Sequence, residues 1–250
     1  MNQCVIISGA HGGIGSAAAV AFAQHGFNVL AADIADAPAN IFDGLPIRSI
    51  KADVTDESQV ADIFTHLGPQ DTLAHVIAVA GGLLPLEKAA VDPLDIAPVE
   101  VFNDSLKLNL VAPYILLRNS LKLLEQNAAA GGTPSVCLIS SINAFASYGG
   151  PGYSAAKSGL IGLVNQLCGP LGKAGIRINA VAPGTVITDR TRELYADNPN
   201  HFERLAESTA LHRLATPDDI ARSILSLTAD MTHVTGQTLI VDGGQMLVRR

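Results

Sequence analysis

The chain has 250 residues, three cysteines and a formal net charge of -7. That balance excludes the basic footprint of a nucleic-acid-binding domain, and no apolar run approaches the roughly 18 residues of a membrane span. With 48% hydrophobic but only 4% aromatic residues, the core must be built from Ala, Val, Ile and Leu.

No linker-like stretch or charge run divides the chain, so a single domain over residues 1–250 is expected. Cys4, Cys137 and Cys168 have neither metal-ligand nor disulfide spacing. The seven histidines form no metal motif. No Lys or Arg precedes Arg48, so the charged start of a secretory signal is missing. These features fit a reducing compartment, the cytoplasm.

Short apolar runs alternate with longer amphipathic ones. Cys4–Ile7 reads as a buried strand, and residues 14–25 as a helix closed by Gly26 in a left-handed cap. Val29–Ala32 is a second strand ending at Asp33, and residues 47–52 a third. Thr55 is expected to cap the next helix, with Asp56 and Glu57 at its positive end. Residues 75–79 form a fourth strand, 99–126 a long helix, and 136–139 a fifth strand. A helix runs from Tyr153 to about Leu171, followed by a strand over 176–181. Residues 185–214 are a partly helical, polar excursion. Thr216 and Pro217 open a helix as N-cap and first residue, and Thr238–Val241 is the last strand. Apolar strands alternating with helices predict a doubly wound parallel sheet with helices on both faces. Its ligands bind beyond the carboxyl ends of the strands.

Two constellations sit at those ends. Ser8-Gly9-Ala10-His11-Gly12-Gly13-Ile14-Gly15 links the first strand to the first helix. Its glycines allow a sharp turn and close approach to a pyrophosphate, and the helix N-terminus supplies N–H groups to that anion. Asp33 stands where a carboxylate meets the hydroxyls of an adenosine ribose and repels a 2′-phosphate. No Lys or Arg in the glycine loop or just after Asp33 offsets that repulsion, so NAD is favoured over NADP. The second constellation is Ser141, Tyr153 and Lys157. Tyr153 and Lys157 are four apart on one helix face. A neighbouring ammonium and an oxidised nicotinamide both favour the phenolate, and lowering a tyrosine by about three pH units takes roughly 4 kcal/mol from those two charges. Pro113 cannot donate a hydrogen bond to the Asn109 carbonyl, so a kink and a free carbonyl are expected there. Arg190, Arg192 and His212 read as a solvated loop, with contact to an anionic substrate as the alternative.

These motifs together resemble the short-chain dehydrogenase/reductase family along nearly the whole chain. The resemblance rests on the Ser8–Gly15 turn, Asn109, Ser141, Tyr153-x-x-x-Lys157, the Pro183–Thr188 turn, and the Thr235-Gly236 and Asp242-Gly243-Gly244 ending. It implies a seven-stranded Rossmann fold and an NAD(H)-dependent oxidoreductase of secondary alcohols and ketones. By that resemblance Ser141 binds the substrate oxygen and Tyr153 exchanges a proton with it. Lys157 holds the nicotinamide ribose, and Asn109 positions a relay water. Gly9, Gly13, Ile14, Gly15, Asp33, Ile34, Asp53, Val54, Ala80, Gly81, Pro183, Val186 and Thr188 line the cofactor. It also implies a homotetramer using the helices around Asn109 and Tyr153, and a substrate lid over 185–214. The stretch Ala78-Val79-Ala80-Gly81 lacks the family's usual asparagines. Ser140, beside Ser141, is the alternative substrate-facing serine. A non-catalytic NAD-binding sensor or scaffold is the competing reading, and an epimerase or dehydratase would need a substrate domain for which there is no length. Residues 83–98 and 189–212 mix Leu, Pro, Asp, Asn and Arg and select no particular substrate.

Overall fold

The computed structural model describes residues 2–88, 96–146, 149–198 and 200–247. Residues 89–95, within the mixed 83–98 stretch, lie outside the described residues.

The first half alternates β1 (Asn2–Ser8), α1 (Gly13–Gln24), β2 (Asn28–Asp33), β3 (Ile47–Lys51), α2 (Glu57–Thr65) and β4 (Asp71–Ala78). A one-turn helix α3 (Pro85–Lys88) and α4 (Val99–Leu106) follow, then a π turn (Lys107–Val111) leading into α5 (Ala112–Ala129). The second half contains β5 (Ser135–Ile139), α6 (Pro151–Lys173), β6 (Arg177–Pro183), α7 (Asp189–Leu194), α8 (His201–Glu207), α9 (Pro217–Leu225) and β7 (Thr238–Val241).

All neighbouring strands pair in parallel, in the order β3-β2-β1-β4-β5-β6-β7. The chain winds outward from β1 to β3, then returns to lay β4 on the other side of β1. The crevice opened by that reversal is the switch point where such sheets bind ligands. Helices on both faces bury the central strands. Ile6, Val76, Leu138 and Ile178 point to the face covered by α2, α5 and α6. Val5, Ile7, Ile77 and Val181 pack with Ala18, Phe22 and Ile220 on the α1–α9 face. Each such aliphatic side chain contributes about 1.5–3 kcal/mol on burial.

The doubly wound, seven-stranded prediction therefore holds, and Gly26 adopts the expected positive φ of 100°. Two local expectations are corrected. Asp56, not Thr55, caps α2, because its carboxylate accepts the N–H groups of Ser58 and Gln59. Thr55 instead donates its own N–H to Asp53 Oδ1 at 2.8 Å. The long helix is also not a simple kinked helix. It carries a π turn in which the Ala112 N–H reaches back to the Lys107 carbonyl. Pro113, in the first turn of α5, has no N–H with which to restore the regular ladder.

Candidate active site

The turn after β1 is held against the exit of β4. Gly9 has φ of 65°, and a Cβ there would lie 2.7 Å from the Ala80 backbone. A Cβ on Gly15 would lie 2.0 Å from the Gly9 carbonyl oxygen, so the turn closes tightly only with glycine. Ser8 Oγ accepts the Ala80 N–H at 3.3 Å. No side chain caps α1, whose N-cap is Gly12. Asp33 ends β2 with its carboxylate fixed by backbone, accepting the His11 N–H at 2.9 Å and the Ala35 N–H at 3.0 Å. Gly9, Gly13, Ile14, Gly15, Asp33, Ile34, Asp53, Val54, Ala80, Gly81 and Thr188 line one cleft of about 510 Å³.

This cleft adjoins a second of about 290 Å³. The two share Ile14, Val79, Gly81, Thr188 and Arg190. Ser141, Tyr153, Lys157, Pro183 and Val186 line the second cleft. The two adjacent serines differ. Ser140 Oγ donates to the Lys157 carbonyl at 2.8 Å, which ties β5 to α6. Ser141 Oγ accepts the Asn143 N–H at 3.2 Å and shares a hydrogen bond with the Tyr153 hydroxyl. Lys157 is buried, and its Nζ donates to the Ile139 carbonyl at 2.7 Å, 5.5 Å from the Tyr153 ring centre. Burial, then the Arg190 charge, brings the Lys157 ammonium down to about 7.

The chain's own groups act on the Tyr153 phenol in both directions. Burial pushes it above its ordinary value, with Glu87 and Tyr195 adding to the rise. The Ser141 hydrogen bond and the Arg190 charge oppose this. Among the chain's own groups, desolvation thus outweighs the contributions that favour the phenolate.

Asn109 is fully buried and lines neither cleft. Its Oδ1 accepts the Gly82 N–H at 2.7 Å, and its Nδ2 donates to the Gly82 carbonyl at 3.1 Å. The side chain therefore braces the loop after β4, a task the missing asparagines of Ala78-Val79-Ala80-Gly81 left open.

Three residues do more than their sequence context suggests. Arg190 is not merely solvated: its guanidinium donates to the Gly81 and Leu83 carbonyls, each at 3.1 Å, between the two clefts. Lys51 stands opposite Asp33 in the β2–β3 pairing, but its ammonium pairs with Asp36 at 3.0 Å. Glu87 is buried behind Tyr153. A flanking Thr188-x-Arg190 gives a weak cue for the first, whereas Lys51 and Glu87 have no local motif. Among the described residues no group of three or more His, Cys, Asp or Glu could hold a metal ion, and no helix is long and apolar enough to cross a membrane.

Comparison with known proteins agrees with this geometry. A family model described as enoyl-(acyl carrier protein) reductase matches residues 9–246. An L-rhamnose 1-dehydrogenase (NAD(P)(+)) of Sphingomonas sp. is 34% identical over 255 residues, covering 97% of this chain and 96% of that protein. A longer, uncharacterized short-chain type dehydrogenase/reductase of Sinorhizobium fredii is 31% identical, and the chain spans 44% of its length. The crystal structure of a short-chain dehydrogenase/reductase family oxidoreductase from Burkholderia thailandensis superposes with a TM-score of 0.85 at 30% identity, covering 100% of this chain and 95% of that one. The chain belongs to the short-chain dehydrogenase/reductase family.

Proposed function

We propose that the chain is an NAD(H)-dependent oxidoreductase acting on the carbinol or carbonyl carbon of a small secondary alcohol or ketone. The observation that carries this reading is the meeting of Ser141, Tyr153 and Lys157 in a cleft continuous with the glycine turn and Asp33.

The residues present fit a dinucleotide. The α1 N-terminus has no side-chain cap and no acidic residue in its first turn, so its N–H groups and positive dipole suit a pyrophosphate. Each Asp33 oxygen already accepts one backbone N–H and keeps a lone pair for a ribose hydroxyl. The same carboxylate disfavours a 2′-phosphate, and Lys51 is engaged with Asp36, which supports NAD over NADP. Thr188 at the base of α7, with Pro183 and Val186, supports the nicotinamide end, and Lys157 its ribose. The nicotinamide ring supplies hydride exchange when bound. The chain's own residues handle the oxygen and its proton. In reduction Tyr153 Oη–H gives its proton to the carbonyl oxygen while Ser141 Oγ–H donates to the same atom, stabilising charge as it develops. In oxidation the Tyr153 phenolate takes the hydroxyl proton. Asn109 braces the loop over the cleft and, at the π turn beside Pro113, places its carbonyl for a relay water.

The substrate enters beneath 185–214, whose helices α7 and α8 act as a lid on one catalytic domain. The three free thiols suit a cytoplasmic protein. Val111 and Tyr114, exposed large side chains on the long helix, support assembly as a homotetramer.

Two measurements test the reading. In titration of NADH and NADPH at one salt concentration, NADH binds more tightly; preferred NADPH binding removes the Asp33 argument, and binding of neither removes the reading itself. Tyr153→Phe lowers turnover of any active alcohol or ketone by about 10²–10⁴-fold while cofactor binding persists. Unchanged turnover would point to a chain whose Tyr153 is not the acid/base.

A further inference from the structure

Glu87 is a buried carboxylate that the chemistry above does not use. It lies on α3, next to Tyr153 in space although 66 residues away in sequence. Its Oε1 accepts the Tyr153 N–H at 2.8 Å. Its Oε2 accepts the Ser105 hydroxyl at 2.9 Å and the Leu84 N–H at 3.4 Å.

Tyr153 is the third residue of α6, and that helix's own N-cap, Gly150, has no side chain to offer. Glu87 takes from another element the N–H that a Ser or Asp cap normally satisfies. Its charge also lies at the positive end of the α6 dipole. The helix start leaves room for it. A Cβ on Gly150 would come within 2.6 Å of Glu87 Cβ, and one on Gly152 within 2.8 Å of Glu87 Oε1. On its other side the network continues, since Asn109 Nδ2 donates to the Ser105 carbonyl at 3.1 Å and Asn109 holds Gly82. One carboxylate thereby joins the helix of Tyr153 and Lys157 to the helix of Asn109.

We propose that Glu87 is a positioning residue for Tyr153, fixing the first turn of α6 against α4 and so setting where the phenol stands in the cleft. The proposal rests on the reading of Tyr153 as the acid/base. The charge has a second consequence. The groups facing Tyr153 are Glu87 from α3, Ser141 from the end of β5, Arg190 on α7, Tyr195 after α7, and Lys157 one turn along α6. Among them Glu87 works against the phenolate. Glu87→Gln keeps an acceptor for the Tyr153 N–H and removes the charge, whereas Glu87→Ala removes both.

The test is NMR titration of ¹³C-labelled tyrosine, with Tyr153 assigned by Tyr153→Phe. Cofactor affinity and pH–rate profiles are measured on the same proteins. In Glu87→Gln the Tyr153 midpoint and the rising limb of the oxidation profile move down by about half a pH unit or more. In Glu87→Ala kcat falls about tenfold to a hundredfold while cofactor affinity stays within about twofold, as expected of a misplaced reacting group. Either an unmoved midpoint in the Gln variant or a wild-type kcat in the Ala variant overturns the proposal. If the Ala variant does not fold, Ser105→Ala, which releases Glu87 Oε2, is read in its place: kcat falls at unchanged cofactor affinity, and a wild-type kcat overturns the proposal. The titration needs no substrate, so a wild-type chain that turns over no alcohol or ketone sinks the oxidoreductase reading separately from the Glu87–Tyr153 coupling.

Discussion

Ser140 and Ser141 are chemically identical neighbours whose hydroxyls face different tasks. The first is committed to the Lys157 carbonyl, and the second reaches Tyr153 inside the cleft. Ser141→Ala should therefore lower kcat by about 10²-fold with little loss of stability, as removal of one donor to a developing oxyanion does. Ser140→Ala should do the reverse. It removes one hydrogen bond to a carbonyl that the α6 ladder also engages, at a cost of about 0.5–1.5 kcal/mol, read as a lower Tm, while kcat changes little. Steady-state kinetics and thermal unfolding of the two variants check this; a larger kcat loss from Ser140→Ala would exchange the two roles. The family resemblance chooses Ser141, with Ser140 as the alternative, but the residues around the pair carry no local signal for that choice. That choice depends on the Lys157 carbonyl, which lies on a helix 17 residues further along.

At the scale of elements, the glycine turn is more than a cofactor cradle. A Cβ on Gly13 would lie 2.6 Å from Thr188 Cγ2 and 3.1 Å from Thr188 Cβ. Thr188 is the N-cap of α7 and, with Thr191, forms a capping box at the base of the lid. The start of α1 therefore touches the hinge of 185–214 directly. Gly13→Ala is expected to displace Thr188 and weaken NADH binding by about tenfold, a cost of roughly 1.4 kcal/mol. Thr188→Ser removes the obstructing methyl yet keeps the capping hydroxyl. The double variant should regain most of the lost affinity, and fluorescence titration of NADH across the four proteins measures that coupling. Additive losses would mean that turn and lid are independent. This contact also shows where legibility stopped. Local patterns such as the Ser8–Gly15 turn, the Thr216-Pro217 start of α9 and the β7 strand could be read because the residues that define them are near in sequence. Asp56 replaced Thr55 as a cap because either residue satisfies the same local rule. The π turn at Lys107–Val111 has no periodic signature beyond Pro113. Glu87 was invisible because a carboxylate on a one-turn helix acquires meaning only when α6 is brought beside it.

At the scale of the whole molecule, the two ends of the sheet carry different chemistry. The carboxyl ends form the clefts, while a polar cluster is sealed beneath the opposite ends. There His75 on β4 is buried between Phe22 and Phe27, with its Nδ1 3.0 Å from Ser135 Oγ. The buried Arg177 guanidinium beside it donates to the carbonyls of Leu227, Met231 and Val234, which closes a second π turn, Ser226–Asp230, after α9. Burial first, then the charges of Arg177 and His25, drive His75 from 6.5 down to about 3. The folded chain thus keeps this imidazole neutral while the unfolded chain protonates it near 6.5. Between those values the unfolded state binds more protons, so stability is lost as pH falls. A shift of this size corresponds to on the order of 4–5 kcal/mol, comparable to much of a domain's net stability. The carboxylates held low by hydrogen bonds, Asp56, Asp71 and Asp219, start from an ordinary value of 3.8 and act only at lower pH. The window from pH 6.5 down to about 4 therefore reports on His75. His75→Leu removes the titrating group, and whatever constant stability it gains or loses, its urea midpoint should stay flatter across that window than the wild type's. A midpoint that falls equally steeply in both proteins would place the acid sensitivity outside this cluster.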